Sequence, residues 1–378
     1  MKALVIGGTG PTGPFIVEGL RQRGYETTIL HTGRHEIDLP DDVPHIHTDP
    51  NFLEGLTDAL KGRRYDLVVA TYGRLRLFVD ALAGVSERLI TIGGAAYGDN
   101  LARPSAEDGP RKTGNKLSEK IVQTEQILMD AHSAGRYNIT HLRYPCLFGP
   151  RQLAPREWSI IRRLRDGRTH IPVINGGLTL ETKAYVENAA HAILLCVDQP
   201  EASSGQIYNV ADAYTPSDAT LVRTIGRVMG VEVELANFTP EMGRPAYFWG
   251  ANRDLNFTRT GLPPTTHHLL IDSGKIRSEL GYTDLVSFEE AIERTVEHYL
   301  EHPLESAAEQ QIGDPFDYAA EDTFIALLNE MNVRAAELPF AGVRYQHPYA
   351  HPKALDEAWT GKPEAASQSC VSLVSNRA

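Results

Sequence analysis

Apolar residues in the first half of the chain come in short solid runs. Ala3–Ile6 in KALVIGG is one such run, and Leu67–Ala70 in YDLVVATYG is another. A continuous apolar run of about 4–8 residues fits a strand buried on both faces. ETTILHTG (26–33), RLITIGGAAYG (88–98) and NITHLRYP (138–145) have the same character. Between these runs the apolar spacing changes to three and four. Ile16 and Leu20 share one face of PFIVEGLRQRG, which Gly24 ends. Further helices are expected around 52–61, 75–84 and 115–134, the last with Leu117, Ile121, Leu128 and Met129 at helical spacing. Strands alternating with helices predict an α/β fold with a doubly wound parallel sheet of Rossmann type, covered by helices on both faces.

Past residue 150 the pattern predicts a smaller α/β part. REWSIIRRLRDGR reads as a helix with Trp158, Ile161 and Leu164 toward the core, its arginines facing either an anionic substrate or water. Val186, Ala190, Ile193 and Val197 align on a second helix, and QIYNVAD returns to the main sheet. Ser217 is a plausible N-cap for SDATLVRTIGRVMG, and VEVEL (231–235) alternates like a half-buried strand. Tyr247, Phe248 and Trp249 either line an apolar pocket or cap the core. The expected organisation is a dinucleotide-binding domain over 1–150 with a return segment at about 184–212. A substrate-binding domain over 151–183 and 213–302 and an extension over 303–378 complete it. In the extension DTFIALLNEM suggests a short helix, RYQHPYAHPKALDEAW a wrapping loop, and EAASQSCVSLVSNRA disorder.

Charge narrows the partners. Asp and Glu number 49 against 37 Lys and Arg, a net charge of −12, which argues against a nucleic-acid partner. No apolar run is long enough to span a bilayer, and the start leads straight into a strand and a glycine loop, so neither a membrane partner nor export is expected. Cys146, Cys196 and Cys370 are scattered and odd in number, which fits a reducing, cytoplasmic setting.

The candidate chemistry begins at GGTGPTG, residues 7–13. Glycines at 7, 10 and 13, between a strand and a helix, let backbone N–H groups and the helix N-terminus approach a pyrophosphate. Thr9, Pro11 and Thr12 share that loop. At the tip of the second strand stand His31, Thr32 and, just beyond, Arg34. The carboxylate that holds the ribose in NAD sites is missing there, and an Arg is available for a 2′-phosphate, which leans to NADP with NAD possible. Arg34 is otherwise a solvated loop residue. Asp49 reaches an adenine or only forms an Asp-Pro turn. Thr71 and Tyr72 end the fourth strand at the carboxyl edge, where ligands sit in open α/β sheets. The histidines of HIH (45–47), His267–His268 and His347/His351 are weak metal signals, and no metal is expected.

The ordered blocks GGTGPTG, ITIGGAAYG, NKLSEK, LRYPCLFGPRQ, KAYVENAAHAILLCVDQP and GQIYNVAD resemble the extended short-chain dehydrogenases, the NAD-dependent epimerase/dehydratase family, over roughly 1–300. LLIDSGKIRSELGY is similar to a block of the family's substrate domain. The resemblance implies an NAD(P)-dependent oxidoreductase acting on a small-molecule substrate, and a homodimer through the helix containing Lys116. It implies a Ser or Thr, a Tyr and a Lys as the catalytic set. The Lys falls on Lys116, the Tyr position on Lys112 or Thr113, and the Ser/Thr position on Gly93, so two of three roles are vacant. Tyr97 fills the gap if a cation assists its phenol, and is otherwise structural. Lys112 does so if desolvation lowers its pKa, and is otherwise solvated. Tyr144 and Pro145 match positions beside the nicotinamide. Reduction of a carbonyl or enone is the leading expectation. Isomerase or lyase chemistry and a non-catalytic NADP-binding regulator are the alternatives.

Overall fold

The computed structural model describes residues 1–97, 103–114, 116–239, 268–343 and 345. The solid apolar runs become β1 (Lys2–Ile6), β2 (Glu26–His31), β4 (Leu67–Ala70), β5 (Arg88–Gly94) and β6 (Asn138–Tyr144), with β3 (His45–His47) a short edge strand. β10 (Ile207–Asn209) returns beside β6, as QIYNVAD predicts. The sheet has seven strands in the order β10-β6-β5-β4-β1-β2-β3, all parallel.

The runs are solid because neighbouring residues serve opposite faces. Ala3, Val5, Ile29, Val69 and Ile90 join one buried cluster with α1 (Gly13–Gln22) and α6 (Val186–Asp198). Leu4, Ile6, Leu30, Val68 and Leu89 join another with α2 (Leu53–Leu60), α3 (Phe78–Ala81) and α4 (Lys116–Ser133). The Rossmann-type sheet is therefore built as the pattern predicts. The helix expected over 75–84 is shorter than its pattern, because its first turn, Leu75–Leu77, winds as a 3₁₀ turn.

Beyond the main sheet, β7 (Cys146–Phe148) pairs with β9 (Lys183–Tyr185), and β8 (His170–Ile174) with β11 (Glu234–Phe238). β11 starts at Glu234, so VEVEL supplies only its last two residues. α5 (Glu157–Arg165), α7 (Asp218–Val228) and α9 (Phe288–Glu301) pack with β8 and β11 around Trp158, Ile161, Val222, Ile225 and Ile292. Ser217 caps α7, its Oγ accepting from the Thr220 amide at 3.1 Å. α8 (Gly274–Leu280) joins the first cluster through Ile276 and Leu280.

On α4, Leu117 is 69% exposed, while Ser118, Glu125 and Leu128 are buried. One expectation fails on α5. Arg163 on α5 faces neither water nor substrate. It is fully buried, its Nη1 donating to Asp314 at 2.6 Å and its Nη2 to Glu321 at 2.5 Å. Two carboxylates from the chain beyond residue 303 neutralise it, which is how a buried guanidinium is tolerated. That extension forms α10 (Ser306–Gln311) and α11 (Tyr318–Ala336), so DTFIALLNEM belongs to a helix of 19 residues. The chain divides into two compact units, Met1–Leu328 and Asn329–Ala378. Among the described residues no helix is long and apolar enough to cross a membrane. Tyr247, Phe248, Trp249, His267, His347, His351, Cys370 and the terminal serine-rich stretch lie outside the described residues.

Candidate functional site

The loop between β1 and α1 is shaped by its glycines. Gly7 and Gly8 have φ of 115° and 43°, a region L side chains rarely adopt. A Cβ on Gly7 would stand 2.1 Å from Thr71 Oγ1, and one on Gly13 would stand 1.8 Å from Gly8 O. Gly10 differs, since a Cβ there would meet nothing within 4 Å. Gly7 and Gly13 fold the loop onto the sheet edge, and Gly10 leaves bare backbone beside open space at the N-terminus of α1. Thr9, Gly10 and Pro11 are half-buried, and Thr12 is buried at the N-cap of α1 with no side-chain cap bond. Thr71 hydrogen-bonds the Ile6 carbonyl through its hydroxyl at 3.1 Å, tying the end of β4 to β1.

The neighbouring edge carries the other nucleotide candidates. Thr32 is half-buried and Arg34 exposed, the Arg34 amide lying 3.4 Å from Thr32 Oγ1. Asp49 Oδ1 accepts from Asn51 N at 2.9 Å and from Asn51 Nδ2 at 2.8 Å, so the turn-forming reading describes its contacts. Tyr72 is 52% exposed, its hydroxyl 3.2 Å from Asn51 Nδ2. The structure thus brings Gly7–Gly13, Thr32, Arg34, Asp49, Thr71 and Tyr72 to the carboxyl ends of β1, β2, β3 and β4.

The catalytic candidates fare differently. Gly93 lies in β5 opposite Arg143 of β6, and a Cβ on it would stand 2.8 Å from His141 Cε1 and Nε2. The His141 ring fills the space a Ser or Thr side chain would need. That ring is buried, its Nδ1 2.8 Å from Thr91 Oγ1. Burial lowers its pKa to about 4, with Glu125 opposing the shift, so it is neutral at pH 7.

Lys112 precedes the helix, its amide donating to Ala96 O at 3.0 Å, and Thr113 is exposed. Lys116 is the first residue of α4 and is exposed. Residues 112 and 113 lie before α4, outside the helix that Lys116 opens.

Tyr97 is locked into a buried network. Its hydroxyl donates to Asn209 Oδ1 and accepts from Arg143 Nη1 at 2.6 Å. Arg143 in turn grips Glu125 through Nε at 2.7 Å and Nη2 at 2.6 Å, and Arg111 stacks on the Tyr97 ring at 5.0 Å. Burial raises the Tyr97 pKa, with the Arg143 charge opposing. A phenol whose proton is donated to Asn209 and whose oxygen accepts from Arg143 is held as a strut, the structural one of the two expectations for Tyr97.

Tyr97 nevertheless borders a cavity of about 310 Å³, together with Gly94, Tyr144, Pro145, Arg156, Glu181 and Thr182. Tyr144 is buried, its hydroxyl donating to Ala189 O at 2.6 Å, and Pro145 is half-buried. Arg156 and Glu181 form an ion pair at 2.5 Å, with Lys183 Nζ 3.4 Å from the same carboxylate. A wider cavity of about 780 Å³ lies at the amino ends of β1 and β2, lined by Lys2, Tyr25 and Arg63. It is open and sits at the sheet edge opposite the glycine loop, so the smaller cavity is the better substrate candidate.

Glu125, His141, Arg143, Asn209 and the Arg156–Glu181 pair were missed at the level of sequence. Glu125, His141, Arg143 and Asn209 are polar residues in an apolar run or on a helix face, and that interruption of the pattern was the available signal; Arg156 and Glu181 lie outside the helices and strands, where no such signal exists.

Residues 71–211 match the family model described as NAD dependent epimerase/dehydratase family. Among curated proteins, the chain is 24% identical over 259 residues to the Arabidopsis thaliana chloroplast stem-loop binding protein of 41 kDa b, covering 64% of this chain and 66% of that one. It is 25% identical over 241 residues to the UDP-glucose 4-epimerase of Mycolicibacterium smegmatis, covering 62% and 69%. The match thus spans about two thirds of these relatives' own length. Among solved structures, the Thermus thermophilus UDP-glucose 4-epimerase in complex with NAD matches with a TM-score of 0.62 at 20% identity, over 79% of this chain and 99% of that one. The Thermotoga maritima UDP-glucose 4-epimerase with UDP-glucose matches with a TM-score of 0.66 at 17% identity, over 80% and 99%. At these identities the structural likeness is one of fold.

Proposed function

We propose that the chain, whose residues 71–211 match the model of the NAD dependent epimerase/dehydratase family, binds a nicotinamide dinucleotide and transfers hydride to or from a small or medium organic carbonyl, enone or alcohol. The observation that carries this is the glycine loop. Its backbone is bent by Gly7 and Gly8, closed by Gly13, and left bare at Gly10 beside the N-terminus of α1. These residues fit a pyrophosphate. The bound cofactor supplies the hydride.

The remaining tasks fall to the chain. Arg34, exposed after β2, favours NADP over NAD by pairing with a 2′-phosphate. Lys116 at the start of α4 would hold the nicotinamide ribose. Pro145 and Tyr144 would form the wall beside the nicotinamide, with the substrate in the 310 Å³ cavity. Position 93 carries no hydroxyl, and the Tyr97 phenol is engaged. The best-suited substrate is therefore one that needs no protein acid, such as a polarised C=C bond whose carbon takes hydride and whose proton comes from water. Self-association through α4 would cover Leu117.

The test is to incubate the protein with NADPH and a panel of ketones and enones while following the reduced cofactor's absorbance. Oxidation of NADPH by enones in preference to ketones is expected, with Lys116→Met weakening cofactor binding. Product change without net cofactor turnover would instead establish isomerase or lyase chemistry. A second reading, binding without turnover, is favoured by the same locked Tyr97 and blocked Gly93. Tight NADPH binding with silence toward every substrate would establish it.

A further inference from the structure

We propose that the tip of β2 and the edge strand β3 carry a binding site for a divalent transition metal of the zinc class, made by His31, Glu36, His45 and His47. The strand register builds it. His31 and His47 are opposite partners in the parallel pair β2–β3, and His45 lies two residues before His47. All three imidazoles therefore share one face of the sheet. Ile46, between the two β3 histidines, packs on the other face against Leu30's cluster. The turn after β2 brings the Glu36 carboxylate over the same spot.

The distances separate a metal site from a hydrogen-bonded cluster. His31 Nε2 lies 3.1 Å from His45 Nδ1. Glu36 oxygens lie 3.9 Å from His31 Nε2, 3.5 Å from His45 Nδ1 and 3.4 Å from His47 Nε2. The three carboxylate separations exceed a normal N–H···O bond of about 2.7–3.2 Å. Four ligands in a tetrahedron with metal–ligand bonds of about 2.0–2.2 Å stand about 3.3–3.6 Å apart. One ligand atom from each residue falls within 4.8 Å of all the others. The arrangement is thus close to a collapsed tetrahedron, three nitrogens and an oxygen around one point.

Metal binding requires one tautomer change, at His31. Without a metal, Gly33 N donates to His31 Nδ1 at 3.2 Å, so His31 Nε2 carries the proton and donates to His45. With a metal, His31 adopts the Nδ1–H tautomer, its Nε2 lone pair turns to the ion, and the Gly33 amide gives up its acceptor. No net proton is required of His31. Three imidazoles and one carboxylate select zinc, cobalt, nickel or copper over magnesium or calcium. Four protein ligands with no open position make a structural clamp, not a catalytic ion. It would pin the turn 32–36 and the three-residue edge strand to β2. The HIH pair alone is a weak signal because the other two ligands, His31 and Glu36, stand apart from it in sequence.

The experiment uses the full chain without an affinity tag, stripped with a chelator. It is titrated with Co²⁺ in the spectrophotometer and with Zn²⁺ in the calorimeter. One equivalent of Co²⁺ with the intense visible bands of tetrahedral coordination is expected, displaced by Zn²⁺ and untouched by excess Mg²⁺. His47→Ala and Glu36→Gln, both at exposed side chains, should each weaken Zn²⁺ binding by at least about 100-fold while leaving the melting curve of the metal-free protein in place. Absence of stoichiometric binding, an octahedral spectrum, or binding unchanged in a His45→Ala/His47→Ala double variant would overturn the proposal. The outcome does not depend on whether the chain binds a dinucleotide.

Discussion

At position 93 one absent side chain decides what chemistry is left. A serine there would run into His141, and His141 is held by Thr91 from the neighbouring strand. The buried ring also makes a pH signature. Its pKa is about 4 in the folded chain against an ordinary value of 6.5. Between those values the unfolded chain holds the extra proton, so stability rises with pH through that window. It is fully present above pH 6.5 and lost as pH falls toward 4, by on the order of 3 kcal/mol. Urea melts at pH 7 and pH 4.5 should show this loss, and His141→Gln should shrink it. An equal loss in the variant would assign the pH dependence to other groups.

At the scale of elements, α4 is anchored by polarity rather than by the apolar stripe alone. Glu125 sits in its buried face and meets Arg143 of β6 in a two-pronged pair, with Arg111 3.4 Å away. Removing one member of a buried pair leaves the other charge uncompensated, which costs about 3–5 kcal/mol. Glu125→Gln should therefore lower stability by that order, read as a shift in the denaturation midpoint. Glu119→Gln on the exposed face should change it little. A Glu125→Gln protein as stable as the parent would show that the network is not what seats the helix. The position of α4 was legible in its sequence, and how deeply each turn is covered was not. Leu117 and Leu128 share a helix face, yet Leu117 in the first turn is exposed and Leu128, one turn past Glu125, is buried.

Across the whole molecule the main sheet followed from its solid runs, because a strand covered on both sides has no polar face to disguise it. The glycine loop was legible for the same reason, as bends without side chains leave a visible signature. What escaped depends on pairing between distant residues. Arg163 with Asp314 and Glu321, and His31 with His47, become partners only when strands and helices are set side by side. The role given to Tyr97 also turned on Asn209 and Arg143, residues far from it in sequence.

The central claim is that backbone left bare at Gly10 receives a dinucleotide. Gly10 has room for a side chain within the protein, so Gly10→Val should fold and melt as the parent does while placing methyls where the pyrophosphate lies. Calorimetric titration of both proteins with NADPH, NADP⁺, NADH and NAD⁺ tests this most directly. The account predicts saturable binding to the parent, tighter for the phosphorylated pair, and at least about 100-fold weaker binding to Gly10→Val. No binding of any of the four to the parent, or equal binding to both proteins, would contradict it.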